Sequence, residues 1–360
     1  MNPDYLITDP RPSECFKDKT FSGFKKTEVL KALFKAIDTG KVEDTCFWLI
    51  ECIVSGYAVD LSEKLAIHGA KVVHVNNPRL PAFLWRRYHS LHSSINHISR
   101  KEKDQLIHIR NSSHIRNNLV DVAVTLAISS KGKRYDKLPK VDPKTDFAFS
   151  TIQQKMNATM QLLPKDTIRF TDPEELRIIM NELFFNLKNA NGGYDKCCYW
   201  VGWLVQWEKR NKSQKRKFEI ETRSVPDVNP KYGKDMIWLV WEVIFEEAKL
   251  RDSMIKEQVQ SLFQLFSFAY TSGKRNARLS YVYNAIGFLT LPYKDKPLRP
   301  NTDIFVKTQC MIHSLIKAKK PNEVKSYTPP PEKPKKAKGA EKEIIESRMR
   351  ELQDLDMFAV

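Results

Sequence analysis

Lys209, Arg210, Lys212, Lys215, Arg216 and Lys217 crowd into one short stretch directly after a tryptophan-rich run, and Lys131, Lys133, Arg134, Lys137 and Lys140 form a second group. Cations gathered in loops at helix ends can neutralise several phosphates at once, which gives an affinity that falls steeply with salt and reads no base sequence. The same groups could equally form a solvated surface that keeps the protein in solution. The chain as a whole is basic, with 60 Lys+Arg against 43 Asp+Glu and a net charge of +17 at pH 7. That excess attracts polyanions at low salt, so nucleic acid, an acidic protein and an anionic membrane surface are the partner classes to weigh.

Bond-making chemistry has no comparable signature. The chain contains no GxxxxGK[ST], GxGxxG, GxSxG or HExxH, so neither the phosphate-cradling backbone nor the ligand pairs those motifs create are signalled. The eight histidines concentrate between His68 and His114, yet His89 and His92 lie three apart on a basic helix without an acidic ligand beside them. Carboxylate pairs such as Glu246-Glu247 and Asp354/Asp356 lack an apolar enclosure that would raise a pKa for acid catalysis. The six cysteines, at 15, 46, 52, 197, 198 and 310, contain no CxxC pair and read as reduced, buried thiols. The reading is therefore a binding protein with no catalytic residues, no metal and no cofactor.

The sequence ends on a different kind of motif. Leu355, Asp356, Met357 and Phe358 form an acidic-apolar plug behind a Pro/Lys-rich run, the physical form of a tethered docking peptide. It resembles the sliding-clamp-binding peptides at the C-termini of bacterial and phage replication proteins. Their Gln directly before the Leu is lacking, because Gln353 stands one place too early.

The elements that must carry these residues read as helices. Only 12 glycines argue against a loop-rich β fold, and the apolar positions recur at three- and four-residue steps. Val29, Leu30, Leu33, Phe34 and Ile37 mark one helix that stops at Gly40, and a second runs from Val42 to Ser55 before Gly56. Further helices are expected from Asp60, from Pro81, over 115–129, over 235–250, over 252–272 and 278–291 with the loop SGKRNAR between them, and over 302–318. FEIETRSV reads as an extended piece. Trp48, Trp200, Trp203, Trp207, Trp238 and Trp241 sit at helical spacing among Val, Ile and Leu, which favours core packing over base stacking. No apolar stretch reaches the ~20 residues of a membrane helix, and the acidic, proline-broken N-terminus is no signal peptide.

The expected organisation is all-α, with two stacked helical subdomains. An extended arm occupies 1–24, a first helical domain 25–141, a connecting segment 142–171, a second helical domain 172–318, a disordered linker 319–340 and a C-terminal docking peptide 341–360. Residues 30–53 and 180–207 share an apolar helix, a glycine-bearing polar turn and a Cys-aromatic-Trp helix, which is compatible with either an internal duplication or coincidence.

Two broader resemblances add to this reading. Phe34-Lys35-Ala36-Ile37, Cys46-Phe47-Trp48-Leu49, Ser55-Gly56, Asn77-Pro78 and Val124-Thr125-Leu126-Ala127 resemble the helical collar of clamp-loader and replication-associated recombination ATPases. That resemblance implies an oligomerising scaffold without the motor. GFKKTEVLKALFKAI, FWLIECIVSGY, NNPRLPAFLW, DPEELRIIMNEL, CCYWVGWLVQWE and DMIWLVWEVI resemble an uncharacterised protein conserved among large nucleocytoplasmic DNA viruses of the mimivirus and phycodnavirus kind. It implies a viral origin and a location in the infected cell, whether cytoplasm, viral factory or nucleus, or in the virion. The combined expectation is a non-catalytic, DNA-associated accessory or scaffold protein of viral replication or transcription, the alternative being a minor capsid or core component.

Overall fold

A computed structural model describes residues 3–101, 105–134, 140–189, 192–216, 218–299 and 303–329. Thirteen α-helices form among them: α1 Lys26–Asp38, α2 Val42–Val54, α3 Ala58–Val72, α4 Leu80–Lys101, α5 Gln105–Asn111, α6 Ser113–Ile128 and α7 Phe149–Lys155, followed by α8 Glu175–Leu187, α9 Gly193–Ser213, α10 Ile237–Ala248, α11 Ser253–Ser267, α12 Ser272–Thr290 and α13 Asp303–Lys319. The all-α expectation holds: no strand forms among the described residues, and the nearest approach to one is an isolated bridge between Lys19 and Lys25. None of the helices described is long and apolar enough to cross a membrane.

Two helices organise the packing. The apolar α6 is surrounded by α1, α2, α3 and α4, while α12 touches α3, α9, α10 and α11. The expected division at 142–171 does not separate two bodies, since residues 1–323 form one compact unit and a second begins at Val324. The reason is a shared seam, because α3 packs on α12 and α4 on α11, so each half covers the other's apolar face. The two segments with the Cys-aromatic-Trp pattern both form packed helix pairs, α1 with α2 and α8 with α9. Each pair turns on a glycine of positive φ, Gly40 at 71° and Gly192 at 77°, a conformation that costs a residue with a Cβ.

Polar side chains pin the seam. Arg278 of α12 is 0% exposed and donates to Glu63 Oε1 of α3 at 2.7 and 2.9 Å, and to the carbonyls of Phe266 and Phe268 at 2.7 and 2.8 Å. Gln258 of α11 accepts the backbone N–H of Ala82 at 3.0 Å, satisfying a free donor in the first turn of α4. The expected loop SGKRNAR is corrected here, since it is the beginning of α12, with Arg275 and Arg278 turned inward onto carboxylates.

The extended arm of 1–24 is also corrected. It carries short 3-10 turns at Pro3–Tyr5 and Ser13–Phe16 and buries Ile7, Phe16 and Phe21 in the core. Asn111 exchanges two hydrogen bonds with the Ile7 backbone at 2.8 and 2.9 Å, and Arg110 lies 4.9 Å from the Phe16 ring centre. At the other end of the unit, Lys319 of α13 reaches the buried Glu51 of α2 at 2.6 Å, and Glu51 also accepts the N–H of Ser22 at 2.8 Å. Burial works against the charged carboxylate, but the bonds from Lys319 and Ser22 prevail and hold its pKa below the ordinary value.

Removing one member of a buried pair strands the other charge, so Arg278→Ala is expected to lower stability by about 3 kcal/mol in urea unfolding, with Glu63→Gln losing less. Because the Glu51 pKa is depressed in the folded state, its contribution is complete above the unfolded value of about 4.3 and is lost as pH falls through the folded one. The stability difference between the native protein and Glu51→Gln, followed by thermal melts, should therefore be large at neutral pH and shrink below about pH 4.

Candidate nucleic-acid interface

Trp203, Trp207, Arg210, Asn211 and Gln214 lie at helical steps along α9 and just beyond it, so one stripe of that helix changes from aromatic to basic along its length. This stripe forms a wall of a cleft of about 470 Å³. Ile178 and Ile179 of α8, Phe147, and Phe149 and Ile152 of α7 complete the apolar lining, with Arg210 and Arg216 contributing guanidinium groups and Glu175 a carboxylate. Trp203 and Trp207 stack with ring centres 6.1 Å apart and planes 18° from parallel, and the Trp203 indole N–H is fixed on the Asp146 carbonyl at 2.8 Å. The Arg210 guanidinium lies 5.0 Å from the centre of the Phe147 ring, a cation–π arrangement that holds it beside the aromatic floor. Phe149 is 76% exposed and Ile178 44%, so the apolar surface is open to a ligand.

The end of α9 sets the direction of the cations. The Arg216 N–H bonds the Asn211 carbonyl at 3.0 Å and the Lys215 N–H the Lys212 carbonyl at 3.1 Å, the paired closure of a Schellman motif. Its left-handed position, usually glycine, is Lys215 at φ 56°. Lys209, Lys215 and Arg216 are exposed and form no ion pair among the described residues, whereas Lys212 is held by Glu208 at 2.8 Å. Lys217 lies outside the described residues. The cations expected in a loop after the tryptophan-rich run are thus partly helical, since α9 continues to Ser213 and includes Lys209, Arg210 and Lys212.

The second basic group is dispersed. Lys131 is corrected as a phosphate ligand: its ammonium donates to the carbonyls of Leu126, Ala127 and Ser129 at 2.7, 2.9 and 2.7 Å, closing the C-terminal end of α6. Burial lowers its pKa to about 8, with Asp38 opposing the shift. Arg134 approaches Asp38 at 3.9 Å, Lys133 and Lys140 are exposed, and Lys137 lies outside the described residues. Leu355, Asp356, Met357 and Phe358 of the docking peptide also lie outside them.

Other polar clusters are internally committed. A cavity of about 540 Å³ between α4, α6 and α13 contains Arg87 and Arg299, but both guanidiniums pair with Asp121. His68 bonds Asp38 at 2.6 Å, His74 the Lys133 carbonyl at 3.0 Å, and His92 packs on Tyr88 and Phe268. Cys46, Cys52, Cys197 and Cys198 are buried as expected, burial pushing the Cys46 and Cys52 thiols up to about 12, while Cys310 is exposed. Trp200, Trp238 and Trp241 are core residues as expected, but Trp48 and Trp207 are only half-buried.

The cleft also contains residues that the sequence reading assigned to a connecting segment. Phe149, Ile152 and Met156 stand at i, i+3 and i+7, a spacing that was available as a signal for the apolar face of a short helix. Comparison with protein-family models, curated proteins and solved structures finds no match.

Two substitutions test the placement of these lysines. Lys131→Ala should lower stability by ~1 kcal/mol in urea unfolding, since it exposes carbonyls at the end of α6; an unchanged midpoint would mean that the side chain faces solvent. Lys215→Gly should instead raise stability by ~1 kcal/mol, because glycine removes the cost of the left-handed backbone.

Proposed function

We propose that this protein is a non-catalytic, nucleic-acid-associated accessory or scaffold factor whose α9 end holds backbone phosphates. The observation that carries this reading is that Arg210 and Arg216 line an aromatic cleft, with the exposed Lys209 and Lys215 directly before them in sequence, and that none of the four has an acidic partner among the described residues. The charge distribution supports it, because residues 324–360 hold eight Lys/Arg and seven Asp/Glu, leaving nearly all of the +17 excess to the compact unit. Contacts of this kind are sequence-independent. Lys133, Arg134, Lys137 and Lys217 are further candidate phosphate ligands in this proposal.

DNA as the natural polymer, a setting in viral replication or transcription, and docking of a sliding clamp or another viral protein by Leu355, Asp356, Met357 and Phe358 belong to the same proposal. A place in the virion is the second reading. It is favoured by Met160 and Phe170, strongly exposed apolar residues in the segment preceding α8, which would suit a permanent protein contact.

Duplex DNA binding, followed by fluorescence anisotropy, should weaken by orders of magnitude between ~50 and ~200 mM salt. Lys215→Glu with Arg216→Glu should reduce both the affinity and the slope against salt, by roughly one unit for each lost phosphate contact. Binding that ignores salt, or that survives the double reversal unchanged, would remove the reading.

A further inference from the structure

We infer that the α7–α8–α9 cleft takes the unstacked bases of single-stranded nucleic acid, making this protein selective for single strands over duplex. The inference deepens the proposal of phosphate binding at the end of α9 and rests on it.

Arg210 and Arg216 are themselves lining residues of the cleft, so a phosphate held by either one places its attached nucleotide beside the apolar surface. Phe149 offers that nucleotide an exposed ring, with Trp207 half-buried behind the same lining. The volume of about 470 Å³ lies within the range of pockets that enclose small ring systems.

A duplex cannot use these surfaces, since its bases are stacked face to face and present only their edges in the grooves. Single strands expose base faces, and a basic groove lined with aromatic rings is the usual physical means of holding them without reading sequence. The charge also fits a polyanion better than a neutral peptide, because two guanidiniums in the lining outnumber the one carboxylate, Glu175, and Lys209 and Lys215 directly precede Arg210 and Arg216 in sequence.

The test compares a fluorescein-labelled oligodeoxythymidylate of ~15 nucleotides with a duplex of similar length, using the full chain at fixed low salt. The oligonucleotide is expected to bind at least tenfold more tightly. Phe149→Ala, at a surface position, should weaken it roughly tenfold while changing duplex affinity less than twofold. Arg216→Glu should weaken both. The oligonucleotide should also quench tryptophan emission, and Trp207→Phe should remove much of that quenching.

Equal affinity for the two probes, with Arg216→Glu weakening both, would overturn single-strand selectivity and leave phosphate binding standing. Oligonucleotide affinity unchanged in Phe149→Ala would overturn the inference and assign the cleft to a protein segment. Failure of both probes to bind would overturn this inference and the phosphate reading together.

Discussion

The guanidinium of Arg278 lies where the first and second halves of the chain meet, and the architecture depends on its being fully satisfied. A buried cation is tolerated only when a counter-charge and hydrogen-bond acceptors replace the water it loses. Glu63 of α3 supplies the charge, and the carbonyls of Phe266 and Phe268 at the end of α11 supply the acceptors. One side chain therefore closes α11, fixes α12 and reaches α3. Apolar burial between α3 and α12 and between α4 and α11 drives association, but it is non-directional. The polar contacts through Glu63 and Gln258 select one register for it.

A neighbouring guanidinium extends the same logic towards the cleft. Arg275 pairs with Glu208 of α9 at 2.5 Å and with Asp235, ahead of α10, at 2.7 Å, while the Tyr270 hydroxyl donates to Asp235 at 2.6 Å. Glu208 is thus an internal anchor directly before Lys209 and Arg210. It ties the basic end of α9 to α12, so the exposed cations extend from a fixed point in the core. On this arrangement a charge change at Glu208 would disturb the position of the whole row, whereas a change at Lys215 would alter only its outer end.

The sequence was most legible where burial follows a simple period. α1, α2 and α6 emerged close to their observed bounds because their apolar positions repeat at three and four residues and the turns after α1 and α2 contain glycine. α12 defeated that logic at its start. Its opening Ser-Gly-Lys-Arg-Asn-Ala-Arg looks solvated by composition, yet Lys274, Arg275 and Arg278 all pair with carboxylates from distant parts of the chain. Periodicity of hydrophobic residues cannot report a helix whose inward positions are charged. The cationic half of the candidate site was visible as a charge run. Its apolar half was not, because Phe149 and Ile178 flank a proline-broken segment and meet α9 only through tertiary packing. Lys131 shows the opposite limit, since composition cannot distinguish a lysine that closes a helix from one that awaits a ligand.

Cations at a helix C-terminus also have a purely structural explanation, because they complement the partial negative charge of the last carbonyls. That account covers Arg210 and Lys212, which lie within the last turn of α9. It does not extend equally to Lys215 and Arg216, because the dipole's effect falls off within that turn. Nor does it explain Lys215 in a left-handed conformation where glycine would be more stable. Strain of this kind persists where surrounding structure or function maintains it. Here it directly precedes Arg216, whose guanidinium lines the open aromatic cleft together with Arg210, so the helix end presents positive charge next to apolar rings. A solvated surface requires the charge but not the neighbouring Phe149, while a simple apolar contact requires the ring but not the guanidiniums of Arg210 and Arg216 in the same lining. Their proximity is therefore the strongest argument for binding a polyanion with exposed aromatic faces.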